Sequence, residues 1–440
     1  MGRVTNFFDL PPDSDDAPAA GEDEYGNVVP LKKRRKKEVM LGEGWRAEWQ
    51  ISDAGTPLPN LFNVMVALRR YDRLREIVSF DEMQRKVVIN HAAPGATSTT
   101  IYPRFITDAD VMTIQEELQR QGLRRIAKAT VQDALDLRAM ERPYHPVRDY
   151  LESLEWDKTP RVEKWLSYYL GAEDSPYVRT IGRLFLVALI ARIMRPGCKA
   201  DYMLILEGPQ GAMKSSACHA LAGEWFSDNL PDLSKGDAVR LSMHLRGKWL
   251  IEIAEMSSFN AAESHTLKEF LTQTEERYIP KYSRQEVHEP RQCLFIGTTN
   301  EGAYLRDATG GRRFWPVKVG RIDLDALRHD RDQILAEAVQ LFRDNAKWWP
   351  DREFEQEHIA PQQEERFEED VWETEIAYWL VDQSVRSCTI SQAALGALKL
   401  EASKIGTREQ RRIGACLTRL GWRRAARGHG GVRIWEKSNG

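Results

Sequence analysis

The sequence predicts an α/β core, preceded by a mainly helical domain and followed by a winged-helix module. The core is predicted by an apolar strand, a glycine-containing loop and a helix over residues 201–221, and by two further apolar strands downstream that end in polar residues. Apolar residues at three-to-four spacing between residues 108 and 154 predict helices in the leading domain. A basic amphipathic helix and a glycine-turned hairpin, between residues 407 and 435, predict the final module.

The chain is long enough for several domains and carries little net charge. Its 440 residues include 63 Lys and Arg against 66 Asp and Glu, a formal net charge of −3, and at about 150 residues per domain they suffice for two to three domains. The five cysteines stand far apart without a CxxC pair, which argues against a structural zinc site and for a reducing compartment. The longest apolar run, Leu184–Met194, is interrupted by Arg192 and is far shorter than the ~20 residues that span a bilayer. The N-terminal residues contain no hydrophobic signal region, so we expect a cytoplasmic protein that does not bind membranes.

Charged residues are segregated along the chain and indicate where its domains meet. An acidic stretch near the N-terminus is followed by the basic run Lys32–Lys37, a composition that cannot bury enough apolar surface to fold. This run either contacts nucleic acid or is a solvated tail. Residues 351–375 contain eleven acids, whereas the chain from Arg386 onward carries twelve bases and three acids. The predicted domains are a disordered charged tail (1–42), a mainly helical lead and oligomerisation domain (43–198), an ATPase domain (199–350), an acidic linker (351–370) and a winged-helix DNA-binding module (371–440).

Residues 201–221 carry the pattern of a phosphate-binding loop. The strand-length run Tyr202–Leu206 leads into a glycine-containing loop and a Lys-Ser pair that opens a helix. Backbone N–H groups at a helix N-terminus bind phosphate, Lys214 can reach the β and γ phosphates, and the Ser215 hydroxyl can ligate Mg²⁺. The sequence therefore predicts ATP and Mg²⁺ as cofactors. The predicted nucleotide-binding residues are Gly208, Pro209, Gln210, Gly211, Ala212, Met213, Lys214, Ser215 and Ser216.

Met213 departs from the phosphate-loop pattern, which requires glycine directly before the lysine. If that position takes a positive φ or approaches phosphate closely, methionine costs free energy that glycine does not. An accidental Lys-Ser pair after a glycine loop is the alternative interpretation of this segment.

A carboxylate is needed beside the loop to hold metal and to polarise water. The apolar strand from Trp249 delivers Glu255 at its C-terminal end, and we predict Glu255 as the general base and a metal-site residue. Glu252 lies three residues before Glu255 and therefore on the opposite pleat of the strand. It is either a second, metal-side carboxylate or a partly buried structural acid.

A third apolar strand, from Cys293 to Gly297, ends in Thr-Thr-Asn300. A polar amide at a strand tip can orient water or sense the γ-phosphate, although Asn300 alone is also a common turn residue. Downstream, Arg312 and Arg313 follow a Gly-Gly turn. Such a corner can present a guanidinium to the γ-phosphate of a neighbouring subunit, and the alternative is a surface ion pair.

Taken together, these segments resemble the virulence-associated protein E family, P-loop ATPases of phages, plasmids and genomic islands that are similar to superfamily 3 helicases. The resemblance covers roughly residues 145 to 350 and rests on EGPQGAMKSS, WLIEIAEM, LKEFLTQTEERYIPKY, RQCLFIGTTN, YLRDATGGRRFWPV and RDQILAEA, with YHPVRDYLESLEWD as lead-in. It implies an AAA+-like fold, a homo-oligomeric ring of hexamer type, and ATP-driven work on DNA. By position it implies catalytic roles for Lys214, Glu255, Asn300 and Arg312 or Arg313.

The resemblance also implies a hairpin that tracks single-stranded DNA in the central channel. Its basic residues contact phosphates without reading bases. The candidates in the corresponding interval are Lys268, Arg277, Lys281 and Arg284. The alternative for each of them singly is a solvated charge.

The C-terminal module combines a helix with one apolar face and one basic face. Thr407–Gln410 fits a capping box, and Gly421 fits a helix C-terminus. A basic hairpin follows, so the segment resembles a winged helix-turn-helix that binds duplex DNA, although a basic face is often merely solvated. The candidate DNA contacts are Arg408, Arg411, Arg412, Arg423 and Arg424.

These features together predict an ATP-dependent DNA motor, specifically a replicative helicase of a phage or integrated mobile element, that hydrolyses ATP at the subunit interfaces of a ring. One alternative is a DNA-binding replication initiator or regulator whose nucleotide site, weakened at Met213, acts as a switch. A mobile-element defence ATPase would share all of these residues.

Overall fold

The computed structural model describes residues 20–22, 28–30, 44–96, 101–231, 238–256, 261–279, 285–300, 304–305, 313–366, 370–425 and 433–437. The chain forms two compact units, one of residues 1–80 with 87–143 and the other of residues 81–86 with 144–440. In the predicted tail, strands β1 (Ala20–Glu22) and β2 (Val28–Pro30) pair antiparallel; the rest of the tail up to residue 42 lies outside the described residues. Among the helices of the described ranges, none is both long and apolar enough to cross a membrane.

The first unit combines three helices with a small sheet. Its elements are α1 (Leu61–Arg70), β3 (Val78–Asp81), β4 (Lys86–Ile89), β5 (Arg104–Phe105), α2 (Asp108–Gln121), α3 (Lys128–Met140) and β6 (Pro143–Tyr144), with strand order β5-β4-β3-β6. Two of the helices predicted between residues 108 and 154 are present as α2 and α3. Their buried residues Ile114, Leu118 and Leu135 pack with Val64 and Leu68 of α1 in one core.

The second unit is a mixed α/β fold built on five parallel strands. They are β7 (Met203–Glu207), β8 (Phe226–Ser227), β9 (Leu250–Ile253), β12 (Leu294–Thr299) and β13 (Phe314–Lys318), in the order β13-β7-β12-β9-β8. β12 pairs with two partners, so Ile296 lies opposite Leu204 on one side and Glu252 on the other. The strands are almost entirely buried because helices cover both faces of a parallel sheet.

Helices on the two faces of the sheet close two cores. They are α4 (Pro146–Ser153), α5 (Trp165–Leu170), α6 (Pro176–Met194), α7 (Lys214–Ala222), α8 (Ala238–Leu245), α9 (Ala261–Thr272) and α10 (Leu324–Arg343). Leu204 and Trp315 face the larger core, which includes α6, whereas Ile205 and Phe295 face the core that includes α9. Because α6 is buried along most of its length, the boundary between the compact units falls at residue 143 rather than at the predicted residue 198.

A two-stranded hairpin stands apart from the main sheet. Its strands β10 (Glu275–Tyr278) and β11 (Val287–Pro290) pair antiparallel. At its base the fully buried Arg291 donates from Nε to Glu276 at 2.9 Å, and its guanidinium lies 4.3 Å from the ring centroid of Phe270. This ion pair anchors the hairpin to the end of the sheet opposite the phosphate loop.

The predicted acidic linker is largely helical and packs on the second unit. It contains α11 (Arg352–Phe354), a π-helical turn (Glu355–Ile359) and α12 (Ala360–Glu365). Ile359 is fully buried in the larger core, and Arg366 is buried against Glu207. The segment is therefore anchored, although most of its described acids are exposed: Asp351, Glu353, Glu357, Glu364 and Glu365. Charge composition alone did not distinguish it from a solvated linker.

The C-terminal residues form a separate small core. Their elements are α13 (Val371–Asp382), β14 (Ser387–Cys388), α14 (Ile390–Gly396), α15 (Thr407–Arg419), β15 (Trp422–Arg424) and β16 (Trp435–Lys437), with strand order β14-β16-β15. Ile413, Leu417 and Trp435 are buried at its centre. Helix α15 is capped by Gly406, one residue before the capping box that the sequence predicts at Thr407–Gln410. The Gly406 N–H donates to the Glu409 carboxylate at 3.0 Å.

Candidate functional site

The carboxyl ends of the parallel strands open onto a cleft of about 710 Å³. Parallel strands deliver the residues that follow them to one edge of the sheet, where ligands bind in open α/β folds. The cleft brings together most of the residues predicted to bind nucleotide, hold metal or act in catalysis. It is lined by Gln210, Gly211, Ala212, Met213, Lys214, Ser215, Ser216, Glu252, Ala254, Glu255, Thr298, Thr299 and Asn300.

The loop after β7 curls into the N-terminus of α7 through two left-handed residues. Gly211 has a φ of +81° and Met213 has a φ of +61° with a ψ of +26°. For a residue other than glycine this conformation costs about 1–2 kcal/mol. The structure thus explains why the pattern requires glycine at position 213, and it shows that the methionine nevertheless adopts the glycine-like backbone with its side chain 47% exposed.

Lys214 ties the loop to the tip of β12. Its Nζ donates to the carbonyl oxygens of Gly208 at 2.6 Å and Pro209 at 3.0 Å, and to Oδ1 of Asn300 at 2.9 Å. Burial lowers the pKa of the Lys214 ammonium, while the Glu252 carboxylate acts in the opposite direction. The two predicted residues Lys214 and Asn300 therefore meet directly across the cleft.

Glu252 lies beneath the first turn of α7. Its Oε1 accepts hydrogen bonds from the hydroxyls of Ser215 at 2.7 Å and Thr298 at 2.6 Å. The residue is 1% exposed, and its Oε2 has no hydrogen-bond partner among the described residues. A buried carboxylate oxygen without a partner is costly.

The unpartnered oxygen of Glu252 and the Ser215 hydroxyl fit a Mg²⁺ ion. Mg²⁺ prefers oxygen ligands and usually takes only one or two carboxylates from the protein, completing its shell with water and phosphate. Of the two possibilities that the sequence leaves open for Glu252, the contact with Ser215 favours the metal-side carboxylate.

Glu255 reaches the cleft from a strained turn. It follows β9 by two residues, is exposed, and has a φ of +54°, which is uncommon for residues other than glycine. Strained backbone of this kind concentrates at functional sites. The turn allows Glu255 and Glu252, which belong to opposite pleats, to line the same cleft.

Of the two arginines after the Gly-Gly turn, the described Arg313 is not among the residues that line this cleft. Arg312 lies outside the described residues, and Arg313 is half-buried directly before β13. Among the described residues that line the cleft, Lys214 supplies the positive side chain.

The residues predicted to contact single-stranded DNA differ in their burial. Lys268 is only 6% exposed, and its ammonium lies 5.6 Å from the ring centroid of Phe314, so its packing in the core contradicts the predicted DNA contact. Arg277 is exposed and pairs with Glu275 on the same strand. Lys281 and Arg284 lie outside the described residues.

The C-terminal arginines also differ in their surroundings. Arg412 forms a two-pronged ion pair with Asp370, at 2.7 and 2.8 Å, and lies 3.9 Å from the ring centroid of Trp372. The Arg412 side chain is nevertheless 44% exposed, so its contact with DNA stays a prediction, with Asp370 and Trp372 competing for the guanidinium. Arg411 is exposed on α15, and the side chain of Arg408 lies outside the described residues.

The two arginines of β15 are exposed but have neighbours. Arg423 lies 3.3 Å from the Glu436 carboxylate, and Arg424 lies 5.3 Å from the ring centroid of Trp435. Both remain candidates for phosphate contact, because an exposed ion pair contributes little and exchanges readily.

Sequence reasoning missed the buried polar residues that support the loop. Glu207, Tyr304 and Arg366 form a cluster directly before Gly208, and Thr298 holds Glu252. Glu207 could have been noticed as an acid at the end of an otherwise apolar strand. Nothing in the sequence connects it with Arg366, which stands 159 residues later.

Comparison with known proteins gives one family match, to the Virulence-associated protein E-like domain over residues 151–368. Two solved apo structures of the NrS-1 C-terminal region are similar at 14% identity and a TM-score of 0.46, covering 82% of this chain and 96% or 95% of theirs. A point mutant of RuvB from Thermotoga maritima is similar at 16% identity and a TM-score of 0.24, covering 58% of this chain and 91% of its own. At these TM-scores the likeness carries no functional argument. No curated protein matches the chain.

Replacing Glu252 by glutamine tests its role as a metal-side carboxylate. We expect Glu252→Gln to lower Mg²⁺-dependent ATP hydrolysis by about 10- to 100-fold, because the amide keeps an acceptor for Ser215 and Thr298 but loses the charge. The melting temperature should change little, since no ion pair is broken. Glu337→Gln is the control, because Glu337 is also buried but accepts from the backbone at residues 161 and 162, outside the cleft. Reduced thermal stability with normal hydrolysis in Glu252→Gln would make Glu252 a structural acid.

Proposed function

We propose that this chain, whose residues 151–368 match the Virulence-associated protein E-like domain, is an ATP- and Mg²⁺-dependent hydrolase that acts on DNA as a replicative motor of a mobile element. The observation that supports this most is the convergence of Lys214, Ser215, Glu252, Glu255 and Asn300 on one cleft. A loop, a metal-side acid, an exposed acid and a polar amide are the groups that phosphoryl transfer to water requires.

The residues divide the reaction among them. The N–H groups at the start of α7 hold the triphosphate, and Lys214 exchanges its loop carbonyls for the β and γ phosphates. Ser215 and Glu252 would hold Mg²⁺, which supplies charge neutralisation on the phosphates when it is bound. Glu255 accepts a proton from the water that attacks the γ-phosphorus, while the bond from that phosphorus to the ADP oxygen breaks.

An AAA+-like ring is proposed for the assembled protein. The sheet order places the strand that carries Asn300 between the loop strand and the acidic strand, which suits a water-orienting amide. The described lining of the cleft contains a lysine but no arginine. Arg312 or Arg313 from a neighbouring subunit would supply the missing guanidinium.

A winged helix is proposed for the C-terminal module. Its described elements run helix, strand, two helices and two strands, and the strands form one antiparallel sheet. Arg411, which is exposed on α15, and Arg423 and Arg424 of β15 would contact duplex phosphates, together with Arg408 as the sequence predicts. Single-stranded DNA would meet the hairpin loop that carries Lys281 and Arg284.

Two substitutions in the cleft test the enzymatic proposal. Lys214→Ala and Glu255→Gln should each lower DNA-stimulated ATP hydrolysis by about 100-fold or more, because one removes the phosphate contact and the other the base. DNA binding should survive in Glu255→Gln. The exposed Lys347→Ala and Glu357→Gln serve as controls for lysine and glutamate replacement. Parental phosphate release in both cleft variants would show that this is not the hydrolytic site. Strand displacement on a forked duplex, with and without ATP, measures the motor activity itself.

Neighbouring arginines on α15 separate DNA contact from stability. Arg411→Ala should weaken duplex binding and reduce the slope of log affinity against log salt by about one, with little change in melting temperature. Arg412→Ala should instead lower the melting temperature, since it leaves Asp370 without its partner and uncovers Trp372. Salt titrations of binding and thermal melts distinguish the two effects, and equal salt slopes for parent and Arg411→Ala would remove α15 from the interface.

The left-handed Met213 favours one second candidate, a DNA-binding initiator or regulator whose nucleotide site acts as a switch. Strain at this position could leave the loop able to bind nucleotide but slow to turn it over. In that case Met213→Gly would raise hydrolysis from background.

For the motor we expect the parent to hydrolyse ATP with DNA present, and Met213→Gly to change the rate by less than about tenfold. The relief of left-handed strain, about 1–2 kcal/mol, is partly offset by the backbone entropy of glycine. Steady-state phosphate release by both proteins distinguishes the motor from the switch. A parent without ATP hydrolysis, together with an active Met213→Gly variant, would establish the switch.

A further inference from the structure

A buried ion pair lies at the root of the phosphate loop. Glu207 is the last residue of β7 and directly precedes Gly208. Arg366 donates from Nε to Oε1 of Glu207 at 2.9 Å and from Nη2 to Oε2 at 3.1 Å, and the Tyr304 hydroxyl donates to Oε1 at 2.9 Å. The side chains of Arg366 and Glu207 are 10% and 7% exposed. Three donor groups, two of Arg366 and one of Tyr304, therefore hold the carboxylate within the protein interior.

Arg366 also holds the chain that follows Asn300. Its backbone carbonyl accepts the N–H groups of Tyr304 at 3.1 Å and Leu305 at 3.0 Å. The same residue thus binds the strand end before the loop through its side chain and the segment after the polar amide through its backbone.

These two attachments flank the contacts of the catalytic lysine. Lys214 bonds to the carbonyls of Gly208 and Pro209 and to the side chain of Asn300. The first two acceptors directly follow Glu207, and the third precedes Tyr304 by four residues. A shift of either attachment would therefore change the distance across which Lys214 spans the cleft.

We propose that Arg366 is a positioning residue that sets the phosphate loop and the Asn300 segment in register for nucleotide binding, an inference that rests on the proposed function. Among the described residues, Arg366 bonds to none that lines the cleft, and it acts through Glu207 and Tyr304. The planar guanidinium of Arg366, with its fork of N–H donors, suits this task. It donates to both carboxylate oxygens of Glu207, and its Nη1 donates to the Gln362 side chain on α12. A lysine carries the charge but not the fork.

The first experiment measures the dissociation constant of a fluorescent ATP analogue, without DNA, for the full chain. Arg366→Gln should raise this constant roughly tenfold or more, within the usual range of coupling between sites. Compared with Arg366→Gln, Arg366→Lys should recover more of the parental thermal stability than of the parental affinity for the analogue. The control is Arg291→Gln, since Arg291 also pairs in the interior, with Glu276, but at the opposite end of the sheet. Arg291→Gln should lose stability while keeping the parental dissociation constant.

A double variant separates positioning from folding. Replacing both partners, as Glu207→Met with Arg366→Met, removes the buried charges together, and such replacements often preserve stability. The double variant should lose only the stability that the orphaned Tyr304 hydroxyl costs, yet bind the analogue weakly, because neither the fork nor the Tyr304 contact remains.

The outcomes distinguish this inference from the function on which it rests. Parental affinity in Arg366→Gln, or recovery of affinity together with stability in the double variant, would overturn the positioning role. Failure of the parent itself to bind the analogue would overturn the proposed nucleotide site, whatever the variants do.

Discussion

The hydrogen bond between the Ser215 hydroxyl and the Glu252 carboxylate is the contact on which the arrangement of the site depends. It joins the first turn of α7 to the acidic strand β9, so the helix that faces the cleft and the acid beneath it form one unit. Strand register makes this possible, because Ile296 lies between Leu204 and Glu252 in the sheet. A slip of one residue in β9 would turn Glu252 to the other face and separate it from the loop.

Backbone strain is present on both sides of the cleft. Met213 before α7 and Glu255 after β9 each adopt a left-handed conformation without being glycine, at about 1–2 kcal/mol each. Strained residues persist only where the surrounding structure over-determines them. Here the Lys214 contacts and the buried strand β9 hold the two turns, so the cleft is shaped by the packing beneath it as much as by its own residues.

Arg291 and Arg366 pair with carboxylates in the interior of the protein. The exposed Arg412 also directs its guanidinium at one carboxylate, that of Asp370. The count of bases in the sequence therefore overstates the charge available to DNA. Two of these pairs are close in the chain. Arg366 at the loop root and Asp370, the partner of Arg412, are four residues apart, which limits their Cα separation to about 14 Å.

Local patterns were enough to predict the elements around the candidate site, whereas long-range contacts decided the roles of several residues. The strand, loop and helix around Lys214, and the apolar strands before Glu255 and Asn300, could be predicted because side-chain periodicity and glycine position act over a few residues. The burial of Lys268 and the pairing of Arg412 could not, because charge and spacing look the same for a solvated side chain, a buried one and a paired one. The partnership of Glu207 with Arg366 spans 159 residues. It arises from the packing of the segment after α10 against the sheet, which no local signal encodes.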